Sequence, residues 1–283
     1  MSARSIGPKV GFVLGGGGYL GAYEVGMLRA LLERGIVPDV IVGTSVGALN
    51  GAAIASQPDL DMVERLDDVW RNLVAEPVFS RSVISAALTL ARTRTAVYRD
   101  ASLRRQIRRV LPVERFESLH VPFQCVAACI QRAEEHWFWR GQLEPAILAS
   151  SAVPGLLPPV HIGGEDFYDG GLVNSIPLER AIHLGASEVF VLHVGRIERS
   201  LARPRNLVDV ALVSFEIARR HRFAHALADV PDGVTVHVLP TGERSASARD
   251  QTVGMRRVRS AAELDRRVER AHAAAARYLR QRR

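Results

Sequence analysis

Asp39-Val40-Ile41-Val42-Gly43-Thr44-Ser45-Val46-Gly47-Ala48-Leu49-Asn50-Gly51 joins an apolar run, a G-x-S-x-G sequence and a string of small residues, in that order. The apolar run closed by glycine predicts a buried strand over 39–43, and the small residues predict a helix over 45–56. Upstream the same alternation appears once already. Residues 9–15 (KVGFVLG) read as a buried strand, the glycines from Gly15 to Gly18 follow, and 20–34 read as a helix. Met27, Leu28, Leu31 and Leu32 form the apolar side of that helix, and Gly35 stops it. Strand, helix, strand, helix is the pattern of a parallel sheet covered by helices. The expected fold class is therefore α/β, a three-layer α/β/α arrangement around a central, mostly parallel sheet, with a turn bearing Ser45 after an early strand.

Further along, the pattern turns helical from about 59 to 111, with helices at 60–73 and 102–111. Between them, 82–98 is apolar with arginines at positions 92 and 94, and reads as a lid or a helical insertion. Strands resume at 121–130 and 136–140. A helix at 144–151, a Pro-rich turn and a hairpin turning at Gly163-Gly164 lead into Asp169-Gly170-Gly171. Helix 177–184, strand 188–194, helix 207–228, strand 234–239 and a basic C-terminal helix over about 260–283 complete the pattern. In that last helix Leu264, Val268, Ala271, Ala275 and Leu279 share one stripe. No repeat or long linker divides the 283 residues, so one domain over 1–283 is the economical expectation, with core motifs at 10–194.

The formal charge of +7 is carried almost wholly by arginine, since Lys9 is the only lysine. Ten of the arginines fall in 256–283 against Glu263, Asp265 and Glu269, which leaves the rest close to neutral. No nucleic-acid-binding module accompanies this charge, so nucleic acid is not expected as a partner. The tail reads as a solvated helix face, with peripheral contact to an anionic membrane as the alternative. Cys125 and Cys129 sit four apart on one strand, roughly 13 Å along its axis, too far to bridge. Two reduced, buried thiols and a cytoplasmic location are the expectation, with no signal peptide and no membrane-spanning segment. No His, Cys or carboxylate cluster has metal-ligand spacing, so neither metal nor cofactor is expected.

Chemistry concentrates at three places. At Gly43-Thr44-Ser45-Val46-Gly47 a sharp strand-to-helix turn would lift the Ser45 hydroxyl clear of the backbone. The helix starting there would direct backbone N–H groups and its positive dipole end at developing negative charge. The alternative is a plain helix start with Ser45 or Thr44 as N-cap. The glycine run with Gly21 offers unobstructed N–H groups for an oxyanion. It also satisfies G-x-G-x-x-G, but a dinucleotide fold wants an acid at the far end of the second strand, and Asp39 lies at the near end. A phosphate loop would need Gly-Lys-Ser/Thr, which is missing. The third place is Asp169, before Gly170-Gly171, a candidate base or a simple turn. His193, after an apolar strand, and His237, within one, are rival bases.

The blocks LGGGGYLGAYEVGML, GTSVGALNG and SSAVPGLLPPV…FYDGGLVNSIPL together resemble the patatin-like phospholipase family, in its order, over most of residues 10–194. The resemblance implies a serine acyl-ester hydrolase of lipase or phospholipase A type, acting on lipid acyl esters without a cofactor. It implies a catalytic dyad, with Ser45 as nucleophile and Asp169 as base. The oxyanion hole would be formed by the amides of Gly16, Gly17 and Gly18 with that of Val46. Gly21, Gly43, Gly47, Gly170 and Gly171 would be motif glycines. Leu20 departs from the pattern, standing where many members carry Arg or Lys, so anion binding by that cation is absent here. An α/β-hydrolase with a Ser-Asp-His triad through His193 or His237 is the same-class rival, and a catalytically silent lipid-binding protein is the other.

Overall fold

The computed structural model describes residues 8–75, 94, 96–194, 200–205, 207–242 and 260–281. Most of the 82–98 stretch expected as a lid or insertion lies outside these residues. β1 (Val10–Leu14), β2 (Val40–Thr44), β3 (Phe123–Cys129), β7 (Glu188–Leu192) and β8 (Thr235–Val238) run parallel, in the order β3-β2-β1-β7-β8. Alternation along the inner strands explains the two flanking helix layers. Phe12, Leu14 and Ile41 point into one core, and Val13, Val40 and Val42 into the other. The first core receives α1 (Ala22–Leu32), α2 (Val46–Ser56), α3 (Leu60–Ala75), α4 (Ala101–Val110), α5 (Leu143–Ser150) and the C-terminal α8 (Ala261–Arg280). The second receives α6 (Leu178–His183) and α7 (Leu207–Ala228).

One strand departs from simple parallel pairing and decides where the site forms. β4 (Glu134–Phe138) runs antiparallel along one edge of β3, from Cys125 to Cys129. The other edge of β3 is shared. β2 occupies its first part, with Thr44 opposite Val126, and β6 (Glu165–Asp169) occupies the rest, antiparallel, with Asp169 opposite Ala127. β5 (Val160–Ile162) closes the hairpin through Gly163-Gly164, as its sequence predicted. The strand carrying Asp169 thus takes up β3 where the strand leading to Ser45 leaves it.

The start of the first helix differs from expectation. Gly18–Gly21 form one 3-10 turn, and the α-helix begins only at Ala22, because glycines lose too much backbone entropy to open a helix. At the other end of the chain α8 behaves largely as its stripe predicted. Ser260 caps it by accepting from the Glu263 N–H at 3.2 Å, and Leu264, Val268, Ala271, Ala275 and Leu279 are buried. Arg266, Arg270, Arg277 and Arg280 face outward, but Arg267 does not. It lies over the Tyr23 ring at 5.8 Å and pairs with Glu263 at 2.7 Å, its aliphatic stem covering apolar surface. Cys125 and Cys129 are free and buried. Among the described residues no helix is long and apolar enough to cross a membrane.

Candidate active site

Ser45 has φ 56 and ψ −122, a conformation that side-chain-bearing residues rarely adopt. It is the first residue after β2 and makes no side-chain cap on α2, so the plain N-cap reading does not hold. The turn is possible because its flanks are bare. A methyl on Gly43 would stand 2.5 Å from the Gly47 carbonyl oxygen, and one on Gly47 would stand 2.3 Å from that of Leu14. Two further bonds hold the elbow. The Ser45 N–H donates to Ser150 Oγ at 2.9 Å, and the Ser150 hydroxyl donates to the Val126 carbonyl at 2.6 Å. The Thr44 hydroxyl donates to the Asn174 carbonyl at 2.8 Å.

The Ser45 hydroxyl donates to Asp169 Oδ2 at 2.6 Å, while Asp169 Oδ1 accepts the Gly171 N–H at 2.7 Å. Gly170 lets the chain turn beside β3, where a methyl would meet the Val126 carbonyl oxygen at 2.1 Å. Both side chains are buried. Burial pushes the Asp169 carboxyl up to about 6 from an ordinary 3.8, with the Ser45 and Gly171 hydrogen bonds pulling the other way. A carboxylate so placed is a stronger base than a solvated one and lies in contact with the proton it would take.

The glycine run lies beside the elbow, since a methyl on Gly16 would stand 3.5 Å from Ser45 Cβ. Its amides are not equivalent. The Gly16 N–H is committed to the Ser175 carbonyl at 2.9 Å, and that of Gly15 to Leu192 at 3.2 Å. Among the described residues the Gly17, Gly18 and Val46 amides donate to no backbone carbonyl. Neither rival histidine touches the serine hydroxyl, whose partner is the carboxylate. His193 is buried with Nδ1 3.2 Å from an Arg219 guanidinium nitrogen, which has only protons to offer, so Nδ1 accepts. His237 lies on edge strand β8, stacked on Phe190 and 3.4 Å from Glu188. Among the described residues no group of three or more His, Cys, Asp or Glu is placed to hold a metal ion.

Sequence reasoning did not single out Ser150, although it stands in the third quoted block, nor the Ser175 carbonyl that takes the Gly16 amide. Backbone acceptors leave no trace in composition.

The class is that of three-layer α/β/α proteins, here with a strained serine at a strand-to-helix elbow facing a buried carboxylate. Comparison with known proteins narrows this. The model of the patatin-like phospholipase family matches residues 12–182. The chain belongs to the patatin-like phospholipase family. It is similar to a patatin-like phospholipase domain-containing protein of Caenorhabditis elegans, with 34% identity over 196 residues, which are 69% of this chain and 14% of that protein. Patatin-like phospholipase domain-containing protein 6 of Homo sapiens is 30% identical over 191 residues, 67% of this chain and 14% of that one. Lysophospholipase nte1 of Aspergillus terreus is 29% identical over 206 residues, 70% and 13% respectively. The chain thus spans about one seventh of the length of these relatives. Among solved structures VipD of Legionella pneumophila shares the fold, with a TM-score of 0.51, 14% identity and coverage of 97% of this chain and 67% of that one.

Proposed function

We propose that the chain is a serine hydrolase of lipid acyl esters working through a Ser45–Asp169 dyad. The observation that carries this reading is the 2.6 Å hydrogen bond from the strained elbow serine to a buried carboxylate. Asp169 takes the Ser45 proton as Ser45 Oγ attacks the ester carbonyl, and returns it to the leaving alcohol. Water, activated by the same carboxylate, then hydrolyses the acyl-enzyme. The Gly17 and Gly18 amides, joined by that of Val46 at the start of α2, receive the oxyanion, and Gly16 shapes the loop by anchoring it to Ser175. The base must be ionised to act. Turnover of a soluble ester is therefore expected to rise with pH through about 6, the value to which burial raises Asp169, and to level off above it. A profile already level well below pH 6 would show that the acting base is not a carboxyl raised in this way. Lipid extraction and mass spectrometry after incubation with mixed membrane lipids identifies the substrate. Release of fatty acid from a glycerolipid is the expected result.

The lipid reaches the site beside α7. Leu172 is 50% exposed one residue beyond Gly171, and the Phe215 ring packs where a methyl on Gly171 would lie, at 2.8 Å. Val210 and Ile217, seven apart and so on one helix face, are also exposed. Exposed Arg203 and Arg205 precede this stretch, and His221, Arg222 and His225 follow it. An apolar face with basic ends fits an anionic bilayer surface. Replacing Val210 and Ile217 together by aspartate is expected to abolish sedimentation with anionic vesicles and to lower hydrolysis of vesicle lipid. Turnover of a soluble ester is expected to stay at the wild-type level. Unchanged vesicle binding would place the contact elsewhere.

A further inference from the structure

Two acids are buried among the described residues, Asp169 and Glu24, and the mechanism above uses only the first. Glu24 lies on the first turn of α1, fully buried, directly after the glycine loop. Its Oε2 accepts from Asn50 Nδ2 at 2.7 Å. The same Nδ2 donates to the Gly21 carbonyl at 3.1 Å, and Asn50 Oδ1 accepts the Trp70 indole N–H at 3.2 Å. An indole nitrogen can only donate, which fixes the amide orientation and leaves its NH₂ facing Glu24 and Gly21. Three helices and the end of the glycine loop therefore meet on one asparagine.

We propose that Glu24 is a positioning residue: its carboxyl holds Asn50 on the Gly21 carbonyl and so fixes the glycine loop against α2. The proposal rests on the hydrolase reading and assigns the site a support that reading lacks. The proposed oxyanion donors belong to two separate elements, the loop for Gly17 and Gly18 and α2 for Val46. Asn50 stands one helical turn along α2 from Val46 and bonds the loop at Gly21, so this link sets the spacing of the two donor groups. Gly21 is packed to match, since a methyl there would lie 2.5 Å from Val46 Cγ2 and 2.8 Å from the Trp70 ring.

The surroundings of Glu24 disfavour its ionised form. Glu24 is fully buried and no cation pairs with it among the ion pairs of the described residues, so an ionised carboxylate would have little to compensate its lost hydration. The cations on neighbouring helices are engaged elsewhere. Arg267 of α8 goes to Tyr23 and Glu263, and Arg71 of α3 goes to Asp67 and Asp265. Burial accordingly raises Glu24 well above the ordinary carboxylate value, against smaller opposing effects of Asn50 and the Gly15 amide.

Infrared spectroscopy and steady-state kinetics test this together. Infrared titration is expected to show a protonated-carboxyl stretch, lacking in Glu24→Gln, that persists above the ordinary carboxylate range. Glu24→Gln, which keeps an acceptor for Asn50, should hold kcat and KM within about threefold on a soluble ester. Glu24→Met removes the acceptor, and Trp70→Phe removes the indole donor. Each should lower kcat about tenfold with KM unchanged, since one misplaced oxyanion donor costs at least that much. Trp70→Phe carries the test if Glu24→Met does not fold. The proposal is overturned if the band is missing, if Glu24→Gln loses as much kcat as Glu24→Met, or if Trp70→Phe retains wild-type kcat. The band is read without substrate, so its absence is distinct from a lack of turnover by wild type, which would instead defeat the hydrolase reading.

Discussion

Ser45→Ala is expected to leave a folded protein whose turnover of a soluble ester falls on the order of 10⁴-fold or more. Only one hydroxyl is removed, and the backbone bonds that hold the elbow, from the Ser45 N–H to Ser150 and from Ser150 to Val126, do not depend on it. Fluorophosphonate labelling of the wild type should map to Ser45 and vanish in the variant. Label at another serine would remove Ser45 as the nucleophile. Ser45→Gly should be equally inactive yet more stable, by roughly 1–3 kcal/mol, because glycine adopts the φ of 56 without strain. Thermal unfolding of the two variants side by side reads that difference.

Asp169→Asn is expected to lose nearly as much activity while gaining stability above pH 6. The amide oxygen can still accept the Gly171 N–H, but it cannot take the serine proton. The sign of the stability change follows from the raised carboxyl. A group at about 6 when folded and 3.8 when free favours the fold fully below 3.8, and that advantage is lost as pH rises to about 6. Above that, the native state carries a buried carboxylate at a disadvantage of roughly 2–3 kcal/mol, which asparagine removes. Urea unfolding at pH 7.5 and at pH 3.5 checks it, since the gain should be confined to the higher pH. His193→Gln and His237→Gln should alter turnover only modestly, through packing. A histidine variant as inactive as Ser45→Ala would replace the dyad with a triad.

The parts of the site legible in the sequence are those that need unusual residues at fixed spacing. The elbow needs Gly43 and Gly47 because two backbones pass within contact distance. The Asp169 turn needs Gly170 for the same reason, and both announce themselves as motifs. The strand–helix alternation and the stripe of α8 were legible because burial imposes a period on the side chains. What stayed hidden depends on partners distant in sequence. That Gly16 spends its amide on Ser175 follows from a carbonyl 159 positions away, and every residue has a carbonyl. Glu24 is likewise unmarked by any motif in the sequence. The partner that meets it, Asn50 of α2, lies 26 positions away. Arg267 was expected to face outward with its neighbours, and it turns inward because Tyr23 offers it a ring.

The shared edge of β3 has a consequence for the order in which the protein becomes competent. Ser45 and Asp169 are 124 positions apart, and they become neighbours only once β3 has accepted β2 on its first part and β6 on its second. Side chains alternate along β6, so a one-residue slip would send the carboxylate to the opposite face of the sheet while leaving most backbone pairing intact. The β5–β6 hairpin therefore sets whether the serine and the carboxylate meet. Its loss or misalignment would silence the chain while the parallel strands β2-β1-β7-β8 remained assembled.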